Sequence, residues 1–248
     1  MIHKEIKQTG GIIWVPFLIL LVLNIQAQDA TEIVRKSDEK MQGTTSYAEM
    51  EMTLLRPAWS RTIAFKSWAM GRDYSMTLIT APPKESGQSF LKLKKDMWSW
   101  NPSINRTIKL PPSMMSQGWM GSDYSNDDIL KESSIVIDYE HKMSGEETIS
   151  GLLCYKITLI PKETAAVVWG KIILWISKAE YYQMKADYYD EEDNLVKTHT
   201  SSDIRRLNDR SLPTRFEIIP ADKPNQKTIV VIKSAQFNIP MKESFFFF

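Results

Sequence analysis

Few side chains in this 248-residue chain are of the types that make or break bonds, and they are scattered. His141 lies in Tyr139-Glu140-His141-Lys142 and His199 in Lys197-Thr198-His199-Thr200. Both contexts read as polar strands, so both rings are expected on an exposed sheet face. A Ser–His–Asp relay would need one of them as its base, but no Gly-x-Ser-x-Gly elbow accompanies them. No Cys/His cluster has zinc spacing, and no Gly-rich phosphate loop is present. The acidic run Asp190-Glu191-Glu192-Asp193 lacks the spacing of a calcium loop and reads as a solvated hairpin turn. Asp123, Asp127 and Asp128 suggest a cation site. More simply, Ser125-Asn126-Asp127-Asp128 opens a helix, with Ser125 as cap and the acids at its positive end. Cys154, the single cysteine, sits in an apolar alternating segment and reads as a small buried hydrophobe. Asn105-Arg106-Thr107 matches the N-glycosylation triplet, which is frequent by chance. These residues define no catalytic centre, metal site or cofactor site.

The chemistry the chain does offer is apolar. Residues 97–102 read Met-Trp-Ser-Trp-Asn-Pro. A loop rich in Met and Trp follows, containing Met114, Met115, Trp119, Met120 and Tyr124. Gly, Pro and Ser break it too often for a core strand, and it is too apolar for a solvated one. A loop of this composition is expected to cover something apolar.

The elements that must carry it are mostly strands. Ala30 to Met41 has helical spacing, with Ile33, Val34 and Met41 on one face, and Gly43 ends it. Thereafter the period is two. Met50, Met52 and Leu54 share a face, then Ile63 and Phe65, then Tyr74, Met76 and Leu78, then Leu91 and Leu93. The pattern resumes at Tyr155, Ile157 and Leu159, and continues through Ile172–Ile176, Met184–Tyr188, Phe216–Ile218 and Ile229–Val231. Gly, Pro, Asn and Asp turn signals separate these runs, which predicts an antiparallel sheet of about ten strands, curled or closed. The fold class is mainly β. A curled sheet of that size encloses more volume than side chains readily fill. The pliable apolar faces at Met50, Met52, Leu54, Phe65, Met76 and Leu78 are expected to line the space.

The N-terminus reads as an address. Lys4 and Lys7 precede an apolar run from Ile12 to Leu23, and Ala27 offers a small residue for cleavage. That run is below the ~20 residues a membrane span requires. Residues 1–27 are expected to be a signal peptide and 28–248 one domain. The remainder carries 29 basic and 29 acidic residues, a balance that argues against nucleic acid.

Three segments resemble the LolA-like superfamily of periplasmic lipoprotein carriers, most closely its outer membrane lipoprotein-sorting branch. Leu54-Leu55-Arg56-Pro57 resembles the family's Arg-Pro pair. Met97-Trp98-Ser99-Trp100-Asn101-Pro102 resembles its Leu-Trp-x-Tyr-Asn-Pro hairpin. Met120-Gly121-Ser122-Asp123-Tyr124-Ser125 resembles a Met-Gly-Ser-Asp-Phe-Ser segment typical of the branch. The resemblance implies a strongly curved, half-open antiparallel barrel whose mouth is covered by helices and a lid. It places acyl chains on an apolar concave face, Trp98 and Trp100 beside that cavity, the 111–130 segment in the cover, and Arg56 as the arginine that controls the lid. It carries over no catalytic residue. The partners it implies are an acyl lipid or lipoprotein, an inner-membrane exporter of the resistance–nodulation–division type, and an outer-membrane acceptor. One departure is the end, where Ser244 runs into Phe245 to Phe248 while relatives continue with a polar, basic tail.

Three functions are therefore in view. The leading one is a periplasmic carrier of lipid or lipoprotein. The alternative is a sensor of the same fold that binds a partner protein. A secreted ester hydrolase with His141 or His199 as base ranks last.

Overall fold

A computed structural model describes residues 29–94, 96–130 and 134–247. The leader expected over residues 1–27 lies outside them. After helix α1 (Ala30–Gln42) come β1 (Thr45–Arg56), β2 (Trp59–Met70), β3 (Tyr74–Ala81), β4 (Ser89–Leu93), β5 (Asp96–Asn101) and β6 (Arg106–Lys109). A segment with two 3₁₀ turns and the short helix α2 (Asn126–Leu130) follows. The chain then runs through β7 (Tyr139–Ile149), β8 (Leu152–Pro161), β9 (Lys171–Ser177), β10 (Gln183–Tyr189), β11 (Leu195–Leu207), β12 (Arg210–Pro220) and β13 (Lys227–Phe237).

All thirteen strands join one antiparallel sheet, ordered β6-β5-β4-β3-β2-β1-β13-β12-β11-β10-β9-β8-β7. It is curved and not closed. Each half is a meander of neighbouring strands. The halves meet where β1 pairs β13, from Ser46↔Phe237 to Leu55↔Lys227. The strand count exceeds the ten or so that apolar alternation marks. The edge strand β7 is exposed along most of its length, and β11 carries the polar run Lys197–Arg206, so neither shows a clear period of two. A charged edge also discourages pairing with a second sheet.

Each wing of the sheet has its own filling. α1 starts at Asp29, whose carboxylate accepts the Thr31 N–H at 3.0 Å, and ends at Gly43, where φ is +67°. It buries Ala30, Ile33 and Val34 against Tyr139, Ile157, Leu159, Ile172 and Leu174 of β7–β9. The other wing, β1–β5, packs Met52, Leu54, Ile63, Phe65, Ile79, Phe90 and Met97 against Met115 and Trp119.

Four expected positions are corrected by the register of the β2–β3 hairpin. Between β2 and β3 the register shifts, so that Ala64 opposes Ala81 but Phe65 opposes Ile79. That shift lies on β3 beyond Leu78, and from Phe65 to Met70 the pairing with Ile79 to Tyr74 is unbroken, so directly opposed residues share a face. Ser75, Thr77 and Ile79 therefore share the inner face with Phe65, while Met76 and Leu78 turn outward opposite Trp68 and Lys66. The same face continues along the ladder: Met76 opposes Leu91 and Leu78 opposes Ser89, and these in turn oppose Trp98 and Trp100, placing both tryptophans on the outer face too. None of these four lines the concave side. The outer face can be apolar here because the C-terminal segment covers it. Phe246 is 1% exposed and packs with Tyr74 and Leu91, with Trp68, Met76, Trp98 and Met241 around them. The Tyr74 hydroxyl donates to Glu243 Oε2 at 3.2 Å.

Candidate functional site

The inner face between the two filled wings is not filled. A hollow of about 290 Å³ opens there. Its floor on three adjacent strands is built from small side chains: Ser46 and Ala48 of β1, Ser67 and Ala69 of β2, Ser75 and Thr77 of β3. They are contiguous, since Ser46 opposes Ala69, Ala48 opposes Ser67, Ala69 opposes Ser75, and Ser67 opposes Thr77. Six short side chains reach too little distance to occupy a curved sheet's interior, where larger residues would touch across. The rim is larger and more apolar, with Met41, Met50, Phe65, Phe216, Val230, Ile232 and Phe237, and Lys92 adds a buried ammonium group. Tyr124, Asp128 and Ile129 bound it from the 111–130 segment.

That segment is fixed by its own sequence. Gly118 and Ser125 form an isolated antiparallel bridge, and the Trp119 N–H donates to Tyr124 O at 2.7 Å. A side chain at Gly118 would meet Ser122 O at 2.6 Å, so glycine is required. Met120 at φ +52° and Gly121 at φ +77° turn the chain in the left-handed region. Ser125 caps α2 by a reciprocal pair: its Oγ accepts the Asp128 N–H at 3.1 Å, and Asp128 Oδ2 accepts the Ser125 N–H at 2.7 Å. The helix start expected at Ser125 is present. The result points Trp119 inward, where it meets Phe65 and Phe90 edge-on at 5.5 and 5.4 Å.

Two arginines tie this segment to the sheet. Arg56 Nη1 donates to the carbonyls of Leu55 and Lys227 at 3.0 Å each, and lies 3.1 Å from Asp123 Oδ2. Arg56 Nη2 donates to Gly121 O at 3.1 Å and Asp123 Oδ1 at 3.2 Å. The Asp123 carboxylate also accepts from the Thr228 hydroxyl at 2.6 Å. On the next strand Arg61 donates to Met120 O and pairs with Glu85 at 3.0 Å. Forked, charge-assisted contacts of this kind are the stronger class of hydrogen bond.

A second hollow of about 250 Å³ adjoins the first, sharing Met41, Arg72, Tyr124, Asp128 and Phe216. It overturns one expectation. His199 is not on an exposed face: it is 9% exposed and points inward from β11, opposite Ala186. Its ring stacks on Phe216 at 5.7 Å and meets Tyr124 edge-on at 6.3 Å. Burial pushes its pKa down to about 4, with Lys197 acting in the same direction and Asp128 opposing. Lys197, also inward, is buried against Asp128 and over the rings of Trp169 and Tyr188 at 4.4 and 5.0 Å. Burial raises the Tyr124 and Tyr188 hydroxyls well above their ordinary range. His141 is likewise not simply exposed. Its Nε2 lies 2.6 Å from Ile135 O and its Nδ1 3.1 Å from Thr31 Oγ1, linking β7 to the start of α1.

The sequence-predicted residues divide into groups. Met50, Phe65 and Tyr124 border the first hollow. Met52, Leu54, Met115 and Trp119 are packed together under the 111–130 segment, with Met120 against them. Met114 is half-buried, its carbonyl accepting from Asn126 Nδ2 at 2.8 Å. Met76, Leu78, Trp98 and Trp100 lie on the other side of the sheet. Sequence reasoning missed the small residues on β1–β3 and the inward polar residues of β11. The signal for the first was present, as Ser and Ala alternate with larger residues through Ser46–Ala48 and Ser67–Ala69. Cys154 is buried, in a cluster with Trp175, Tyr182 and Met184. Asp190 closes its hairpin by accepting from Asn194 N at 2.8 Å, as a solvated turn does.

An open, curved antiparallel sheet with a helix on one wing and a tethered segment on the other is a LolA-like fold. Three solved structures share it. A DUF1329 family protein from Desulfovibrio piger superposes with a TM-score of 0.80 at 23% identity, over 88% of this chain and 95% of that one. A protein described as an outer membrane lipoprotein-sorting protein domain, from Vibrio parahaemolyticus, gives 0.78 at 21% identity, over 88% and 96%. A LolA superfamily protein from Nitrosomonas europaea gives 0.75 at 22% identity, over 88% and 96%. No curated protein matches the sequence. The sequence model of a family described as "-like: Uncharacterized protein" matches residues 71–247, most of the chain, and the chain belongs to that family.

Proposed function

We propose that this protein is a periplasmic carrier that holds the acyl chains of a lipid or lipoprotein on the inner face of its sheet. The observation that carries the proposal is the patch of six small side chains on β1–β3, which leaves a hollow with an apolar rim beside a tethered segment. Such concave, mostly apolar spaces are the usual form of a ligand site. The leader at residues 1–27 delivers the chain to the periplasm, where an inner-membrane exporter of the resistance–nodulation–division type is the donor and an outer-membrane site the acceptor.

A long acyl chain exceeds the hollow and extends under the 111–130 segment, so the segment acts as a lid. Lifting Trp119 from Phe65 and Phe90 exposes a side chain whose burial contributes roughly 3 kcal/mol. At about 0.8 kcal/mol per methylene, four methylenes taking its place offset that loss. Arg56 and Arg61 set the remaining cost, because opening separates them from the carbonyls of Gly121 and Met120 and from Asp123. The exchange stays reversible because the closed and loaded forms differ by a small balance of such contacts.

Native mass spectrometry of the protein purified from its own periplasm tests the reading. Bound lipid is expected, together with enhanced fluorescence of phenylnaphthylamine added to delipidated protein. Ala48→Trp, which fills the hollow from its floor, is expected to abolish both while the thermal midpoint holds. A wild-type protein free of lipid and indifferent to the dye refutes the carrier.

A further inference from the structure

The second hollow is lined by His199, Ser201 and Trp169, each of which has a buried polar atom with no hydrogen-bond partner among the described residues: Nδ1, Oγ and Nε1. His199 and Ser201 occupy successive inward positions of β11, about 7 Å apart, and are 9% and 3% exposed. A buried polar group left unmet costs about 1–3 kcal/mol. Three such groups on residues around one space are a poor way to fill a core and a suitable way to receive a ligand. They differ in kind: the indole donates, the hydroxyl does both, and the imidazole nitrogen does either according to its tautomer. Burial keeps that imidazole uncharged at neutral pH. The cations nearby already face carboxylates, Arg72 with Asp38 and Lys197 with Asp128, and Asp127 adds a further carboxyl to the lining. An anionic head would meet no surplus of positive charge among the described lining residues.

We propose that the second hollow receives the head group of the carried lipid, and that this head is uncharged and bears hydroxyl and carbonyl oxygens, as in a monoacylglycerol. This rests on the carrier reading of the adjoining hollow. The five shared lining residues make the two spaces neighbours, so a chain along the small-residue floor brings its head toward His199 and Ser201.

The experiment is displacement of phenylnaphthylamine from the delipidated secreted chain by monooleoylglycerol, by oleate at pH 8 and by oleoyl lysophosphatidylglycerol. Monooleoylglycerol is expected to displace the dye at about one-tenth the concentration that either anionic lipid needs. Ser201→Ala and His199→Phe are each expected to weaken monooleoylglycerol about tenfold relative to the affinity of the same variant for the dye, the loss of one hydrogen bond in a dry site. The ¹⁵N resonance of His199 Nδ1 is expected to move on adding monooleoylglycerol. Equal displacement by the anionic lipids, indifference to Ser201→Ala, or a stationary Nδ1 resonance overturns the head-group assignment and leaves the carrier reading standing. Failure of the wild-type protein to bind the dye at all removes both.

Discussion

The burial of His199 makes a quantitative demand on how stability changes with pH. Its folded-state pKa is about 4, against an ordinary 6.5, because desolvation disfavours the imidazolium. Lys197 reinforces this and Asp128 opposes it, while Phe216 and Tyr124 pack on the ring. Above pH 6.5 neither the folded nor the unfolded chain holds the proton, and stability is at its full value. As pH falls from 6.5 to 4, the unfolded chain takes up the proton and the folded one does not, so stability is lost across that window. Below about 4 both forms are protonated and the loss levels off. At 1.36 kcal/mol for each pH unit, the full loss is about 3 kcal/mol. Urea unfolding of the wild type and of His199→Gln, at steps from pH 7.5 to 4.5, isolates the effect. The many carboxylates titrate in both proteins and largely cancel in the difference. Wild type is expected to lose about 2–3 kcal/mol more than the variant over that range. If the two proteins lose stability in parallel, within about 0.5 kcal/mol, the ring is hydrated and the buried polar wall described here does not exist.

Other perturbations probe separate parts of the molecule. Arg56→Ala leaves the Asp123 carboxylate, 12% exposed, without its cation; a loss of about 3 kcal/mol is expected, with hydrogen exchange at residues 119–125 accelerating more than in β1 or β13. Trp119→Ala opens a cavity between Phe65 and Phe90 and is expected to cost about 3–5 kcal/mol in chemical denaturation; a cost below 1 kcal/mol means the segment does not fill that wing. Phe246→Ala uncovers Tyr74 and Leu91 on the outer face. Increased binding of an anilinonaphthalene dye and a loss of about 3 kcal/mol are expected, without effect on lipid retention.

The sequence carries a good deal of this in local form. Period-two alternation marks the strands wherever one face is buried and the other wet. Gly43 and the 3.6 spacing mark α1, and Ser125 with the acids after it marks α2, because helix ends depend on neighbours within four residues. The Met120–Ser125 segment is recognisable by resemblance, as is Arg56 as an arginine that contacts the lid. The turn at Asp190–Asn194 and the burial of Cys154 also follow from immediate context.

What alternation cannot say is which face of a strand is inside. Met76, Leu78, Trp98 and Trp100 alternate as an inner face would, yet their register against Trp68 and Lys66 turns them outward, and a tail about 170 residues further along the chain shelters Met76 and Trp98. Polar residues mislead in the opposite sense. Lys197, His199 and Ser201 read as a solvated strand, but Asp128, arriving from another part of the chain, neutralises the lysine and allows the whole face to turn in. The sequence by itself determined most of the elements, because hydrogen bonding and side-chain period act between near neighbours. Only the tertiary structure decided where the hollow lies, because an unfilled space is a sum over strands distant in sequence, set here by six small side chains that meet only when β1, β2 and β3 are in register.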